Sequence, residues 1–306
     1  MDFLYFLESI RTPFLDKFFS LITHLGEETI FLVFAIAMFW CVSKRYGYYV
    51  MTVGFVGTVL NQFLKLVFHI PRPWVKDPSF TVVESAIPEA TGYSFPSGHT
   101  QSAVTVFGTS ARMVKNTVLR IVFIVMVLII GLSRMYLGVH TPADVIVSLI
   151  IGAILTLVFY PFFKEDEGQY KRILFLIVGM LVMVIAYVLY TVLFPFSADM
   201  DITNILHGQE NGAKLLGAVA AILVVYILDN KYIHFDTKAP FWVQIIKCVG
   251  GFAILLAIKS GLKAPLNSIM PEMIGNAVRY FLLVIFAGAV WPLTFKPLAK
   301  LGKKSK

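Results

Sequence analysis

Polar and apolar positions along this chain fall into separate blocks and do not alternate. Residues 121–131 read IVFIVMVLIIG, and residues 173–189 read ILFLIVGMLVMVIAYVL. Apolar runs of about 17–25 residues match the thickness of a bilayer core, where backbone polar groups have to be satisfied within a helix. Breaking the chain at its polar and Pro/Gly-rich stretches predicts about nine spanning helices. They cover residues 27–44, 48–70, 98–114, 117–138, 142–163, 172–194, 212–229, 241–260 and 276–295. Residues 3–22 differ: Phe3, Leu4, Phe6, Leu7, Ile10, Phe14, Phe18 and Phe19 oppose Glu8, Arg11, Asp16 and Lys17. That pattern predicts an amphipathic helix in the membrane interface, with a short re-entrant segment as the alternative. The expected fold is an all-α polytopic membrane helix bundle.

Composition agrees with the pattern. Of 306 residues, 58% are hydrophobic and 14% charged, about half the charge usual in a soluble domain. The formal net charge of +8 therefore reads as topology, and no nucleic-acid partner is expected. Lys44, Arg45, Arg112, Lys115, Arg120, Lys164, Lys171, Arg172, Lys231, Lys238 and the tail lysines, Lys303, Lys304 and Lys306 among them, fall on one side of the predicted spans. Loop 195–210 carries Asp199, Asp201 and Glu210 without Lys or Arg, and falls on the other side. The N-terminus is thus expected outside and the C-terminus in the cytoplasm. Acidic Asp2, Glu8 and Asp16, with Pro13, argue against a cleavable signal in residues 1–19. Cys41 and Cys248 lie in apolar segments and read as small buried hydrophobes, with neither a disulfide framework nor a thiolate-metal site.

Three segments hold nearly all the unusual polar residues of the first half: Lys65 to Pro73, Pro96 to His99, and Ser133 to Asp144. In the predicted topology they fall at the outer ends of spans two to five, so they can converge on one pocket. Lys65 and Arg72 are seven apart and share a helix face if the second span continues towards Pro71; Arg134 adds a third cation. Cations left unpaired at a membrane boundary are costly, so three of them imply an anionic partner. Guanidinium groups grip phosphate oxygens bidentately, and lysine acts as a point charge. Ser97 and Gly98 precede a helix whose free N–H groups favour a phosphate. Asp144, four residues after His140, can accept the imidazole Nδ1–H and leave Nε2 as nucleophile. His99, from another helix, can protonate the leaving oxygen and later activate water. No matching cluster of carboxylates or cysteines suggests a metal, so neither metal nor cofactor is expected.

These blocks, K-x6-R-P, P-S-G-H and S-R-x5-H-x3-D, resemble the signature of the type 2 phosphatidic acid phosphatase superfamily, complete and in order. The resemblance covers roughly residues 20–163. It implies that Lys65, Arg72, Ser97, Gly98 and Arg134 bind phosphate, that His99 is the acid/base, His140 the nucleophile and Asp144 its orienting partner. The external N-terminus, the span count and the stretches at 24–28, 82–85 and 132–136 are similar to the sphingosine-1-phosphate phosphatase and glucose-6-phosphatase branches. The expected domains are an interfacial segment (1–26), a catalytic core (27–163) and further membrane helices of unknown role (164–306). The expected activity is hydrolysis of a lipid phosphate or pyrophosphate of undecaprenyl pyrophosphate, phosphatidate or sphingoid type. A sugar-phosphate phosphatase or a lipid phosphotransferase is the alternative. A transporter with an anion site is disfavoured, because transport needs no imidazole paired to a carboxylate.

Overall fold

Prolines and short polar side chains set the helix boundaries. The structure, a computed structural model, describes residues 1–197 and 200–301; Asp199, Lys303, Lys304 and Lys306 lie outside the described residues. Among the described residues it is all helical, with no strand. The helices are α1 (Asp2–Ser9), α2 (Pro13–Thr23), α3 (Glu28–Ala37), α4 (Lys44–Phe68), α5 (Pro73–Lys76), α6 (Gly98–Ala103), α7 (Thr109–Met113), α8 (Thr117–Tyr136), α9 (Pro142–Phe159), α10 (Gln169–Leu193), α11 (Ile202–Leu228), α12 (Phe241–Gly261), α13 (Lys263–Ile269), α14 (Glu272–Ile285) and α15 (Phe295–Leu301). A wider π-type segment, Val104–Gly108, joins α6 to α7 in one helical run.

Seven described helices are long and apolar enough to cross a membrane, or up to eight if the bent pair Pro13–Gly26 and Glu28–Val42 is one span. Two of the nine expected spans fall outside the seven. Residues 27–44 belong to the bent pair, and residues 98–113 carry Thr100, Gln101, Ser102, Thr105, Thr109 and Ser110. All but Ser102 of these polar residues are buried, so this run is shielded by protein and needs less apolar surface of its own. The expected loop 195–210 also shortens, because α11 begins at Ile202 and takes His207 and Glu210 into a helix.

The chain divides into two compact units. The first holds residues 1–34, 53–161 and the described part of 196–205. Its first two helices replace the single helix expected over 3–22. Thr12 caps α2 through its side chain and Pro13 occupies the first turn, so 3–22 is two helices. Glu8, Arg11 and Asp16 of the polar face engage protein, while Lys17 stays exposed. Tyr136 donates to Asp16 at 2.8 Å, and Arg11 donates to the Tyr136 carbonyl at 3.1 Å and the Thr81 carbonyl at 3.0 Å. Phe6, Phe14 and Leu21 are left exposed. Leu4 and Leu7 are buried as well, so α1 turns both apolar and polar side chains onto protein.

The second unit holds residues 35–52, 162–195 and Leu206 onward. Lys44 pairs with buried Asp229 at 2.7 Å, and the Trp40 indole donates to the Ala287 carbonyl at 2.7 Å. α11 and α14 approach closely at Gly217, where an added Cβ would sit 1.9 Å from the Ala277 carbonyl oxygen. Cys41 and Cys248 are free and half-buried, their sulfurs 3.5 Å apart.

Candidate active site

All eight expected site residues lie in the first unit, and the end of α4 places the first two. Lys65 is in its last turn, buried, and its ammonium donates to the Tyr93 carbonyl. The shared helix face expected for Lys65 and Arg72 is not formed. α4 stops at Phe68, His69 takes a positive φ of 36°, and Arg72 is the N-cap of α5 in extended backbone. Ile70 and Arg72 each precede a proline, which disfavours the helical region. Arg72 nonetheless reaches the site from this turn. Its Nε and Nη2 donate to the carbonyls of Gly92 (3.1 Å) and Thr91 (2.8 Å), and its Nη1 to Val139 (2.9 Å).

The C-terminal end of α8 supplies Arg134, fully buried, with Nη1 donating to the Thr23 hydroxyl at 2.7 Å. Its Nε and Nη2 are buried without a protein partner, and so is Nε2 of His99. The helix ends at once beyond Tyr136. Gly138 has φ +83°, and the N–H groups of Val139 and His140 return to the Arg134 carbonyl at 3.1 and 3.2 Å. That turn ties His140 directly to Arg134.

Asp144 is held where α9 begins. Thr141 and Asp144 form a reciprocal capping box, Thr141 N donating to Oδ2 at 2.7 Å and Asp144 N to the Thr141 hydroxyl at 3.3 Å. The same Oδ2 accepts from the Ser94 hydroxyl (2.5 Å) and stands 3.3 Å from His140 Nδ1. With Nδ1–H facing the carboxylate, Nε2 of His140 is an acceptor, and Arg72 Nη1 donates to it at 2.9 Å. Burial, then the charges of Arg72, Arg134 and Lys65, hold the His140 imidazole well below its ordinary value of 6.5, so it is neutral, with its Nε2 lone pair engaged by Arg72.

Ser97 caps α6 with its hydroxyl, and its backbone N–H donates to the Asp144 carbonyl at 3.1 Å. Gly98 and His99 follow in the first turn of α6. The three signature blocks therefore meet: Lys65 and Arg72, Ser97 to His99, and Arg134 with His140 and Asp144. Sequence reasoning missed Thr23, Ser94 and Thr141. The last was legible, since Thr141-Pro-Ala-Asp144 has capping-box spacing; a lone Ser in a loop and a Thr at a distant helix end carry no signal. Among the described residues, no group of three or more His, Cys, Asp or Glu is arranged to hold a metal ion.

Residues 42–167 match the PAP2 superfamily, and residues 213–304 match the PAP2 superfamily phosphatase transmembrane extension. Phosphatidylglycerophosphatase B of Bacillus subtilis is 31% identical over 159 residues, 48% of this chain and 74% of that protein. The chain belongs to the PAP2 superfamily. Among other PAP2 relatives, undecaprenyl-diphosphatase BcrC of Bacillus subtilis is 32% identical over 120 residues, 39% of this chain and 59% of that protein. A probable sphingosine-1-phosphate phosphatase of Dictyostelium discoideum is 30% identical over 159 residues, 48% of this chain and 38% of that protein. The matches thus span less than two thirds of the length of these last two relatives. All eight candidate residues fall within the matched PAP2 segment, whereas Thr23 lies before it. No solved structure matches significantly.

Proposed function

We propose that this protein is an integral membrane phosphatase that hydrolyses a lipid phosphate or lipid pyrophosphate through a phosphohistidine on His140. One observation carries the reading: His140 bridges Asp144 and Arg72 through its two ring nitrogens, and buried nitrogens of Arg134 and His99 lack a protein partner. Orphaned buried cations are costly, and a phosphoryl group would supply the missing acceptors.

In this mechanism Lys65, Arg72 and Arg134 take the phosphoryl oxygens, with Ser97 and Gly98 at the helix start. Arg72 Nη1 leaves Nε2 for a phosphate oxygen, freeing the lone pair. Nε2 attacks phosphorus, so a P–N bond forms as the P–O bond to the leaving group breaks. His99 gives its proton to the departing oxygen, and Asp144 stabilises the charge arriving on the His140 ring. Water, losing a proton to His99, then attacks phosphorus. The P–N bond breaks and inorganic phosphate departs. Charge stabilisation is assigned to the three cations. Activity is therefore expected to persist in EDTA; a strict divalent-ion requirement would contradict this assignment.

The lipid substrate class is supported by the similarity to lipid phosphatases and by a site built on membrane helices. Nine crossings are proposed: the seven long helices, the bent pair and the 98–113 run. Basic residues lie at one end of the catalytic helices and site residues at the other: Arg45 against Lys65 on α4, Arg120 against Arg134 on α8. With positive charge inside, the site faces the extracytoplasmic side. The decisive experiment is phosphate release by purified protein from a panel of lipid phosphates, lipid pyrophosphates and sugar phosphates, with His140→Ala in parallel. The variant is expected to lose at least about 10⁴-fold. Full release by His140→Ala would end the phosphohistidine mechanism, and a preference for sugar phosphates would end the lipid assignment.

A further inference from the structure

The second unit holds a buried arginine that the chemistry above leaves unused. Arg279 lies seven residues into α14, about 10 Å along the helix from Glu272. It is 6% exposed within a helix long and apolar enough to span a membrane. Its Nη2 donates to the Asn276 side-chain oxygen at 2.6 Å, and its Nε is buried with no partner. Among the described residues no carboxylate pairs with it. The nearby acid, Glu210 on α11, is already committed: it pairs with Lys214 at 2.8 Å and stands 4.0 Å from His207. Asn276 links the two groups, donating to Glu210 at 3.4 Å.

The bland explanation is that this chain of contacts fastens α14 to α11. Fastening does not account for the charge. The Gly217 approach already holds the helices together, and an amide oxygen supplies a hydrogen bond without neutralising a guanidinium. A full positive charge in a bilayer-depth helix is costly unless an anion accompanies it. Around this group stand three formal cations, Arg279, Lys214 and, within electrostatic reach of Glu210, Lys263, against that one carboxylate, with Lys214 and Glu210 partly open to the surroundings. A guanidinium with a free Nε edge, a neighbouring amide and an ammonium at the rim is a donor set suited to tetrahedral oxyanions.

We propose that Arg279, with Asn276 and Lys214, forms a second phosphate-binding site inside the transmembrane extension, separate from the catalytic residues. Its ligand is a phosphate group carried by a membrane lipid or free in solution. The site does not depend on the catalytic reading and would stand if the chemistry at His140 proved different.

The test uses full-length protein carrying His140→Ala, so that substrate is not consumed, in neutral phosphatidylcholine nanodiscs. Native mass spectrometry counts bound dioleoyl phosphatidate, the probe. Adding Arg279→Gln is expected to remove one bound phosphatidate, weakening that site at least about tenfold. Arg279→Lys is expected to retain part of it. Inorganic phosphate at saturating concentration distinguishes the sources: displacement of the Arg279-dependent molecule assigns the site to free phosphate, and failure to displace assigns it to a lipid head group. Equal occupancy and affinity with and without Arg279→Gln would overturn the proposal. If Arg279→Gln does not fold, Lys214→Gln at the rim is measured in its place. A drop of about threefold is expected, and unchanged occupancy overturns the proposal there too.

Discussion

At the residue scale, the nucleophilic role proposed for His140 leans on Asp144. One oxygen, Oδ2, accepts from Ser94 and the Thr141 N–H and faces His140 Nδ1, so the carboxylate is fixed before substrate arrives. Asp144→Asn keeps the shape and removes the charge that favours Nδ1–H and the developing positive ring. It is expected to lower kcat by about 10²–10⁴ while changing KM little. Asp144→Ala also removes half of the capping box and should lose about 1 kcal/mol in thermal unfolding. An Asp144→Asn enzyme with wild-type kcat would remove Asp144 from the mechanism. The depressed imidazole has its own consequence. Unfolded His140 binds a proton near its ordinary 6.5 and folded His140 does not. The unfolded chain therefore holds more protons below that pH, and stability falls on acidification from pH 7 towards 5. His140→Gln should flatten this slope in a melting-temperature series; an identical slope would mean that His140 is not held neutral. The motif positions proposed for the site were legible because residue type and spacing mark them. The route of Arg72 was not. Two prolines and the His69 backbone move it off the α4 face, and only the three-dimensional turn brings it to Nε2.

At the element scale, the N-terminal helices belong to the compact unit that holds the candidate site. Their periodicity was readable, but not which side faces protein, because an amphipathic helix in lipid can turn its polar face to water or to a partner. Here Glu8, Arg11 and Asp16 grip Thr81 and Tyr136, and the end of α2 delivers Thr23 to Arg134. Thr23 is buried, so losing its oxygen adds a third orphan donor to a guanidinium that already has two. Thr23→Val is expected to lower kcat/KM about tenfold to a hundredfold, with Thr23→Ser close to wild type. Equal activity of Thr23→Val and wild type would reduce α2 to packing. The next turn is as tight: a Cβ on Gly26 would sit 2.9 Å from the His99 carbonyl oxygen and 2.7 Å from Ile130. Neither contact had a trace in the motif pattern, since both join residues more than seventy positions apart.

At the scale of the whole molecule, the all-helical architecture was legible because lipid leaves the backbone little else, whereas the exact crossings were not. Hydropathy counts a segment by its own apolarity, and the 98–113 run, polar and buried, escapes that rule. Orientation rests on the basic ends, and cysteine labelling tests it directly. In a Cys41→Ser, Cys248→Ser background, Lys76→Cys lies just beyond α4 and the site, and Glu167→Cys lies between α9 and α10; both positions are exposed. In intact cells a membrane-impermeant maleimide should label Lys76→Cys fully and Glu167→Cys only after permeabilisation. The pair is informative because α8 and α9 place Arg134 and Asp144 at the ends facing the Lys76 side, with Arg120 at the opposite end of α8. The reverse labelling pattern would put the phosphohistidine in the cytoplasm. It would then require the substrate phosphate to be presented from the inner leaflet, against the bias of Arg45 and Arg120 at the opposite ends of α4 and α8.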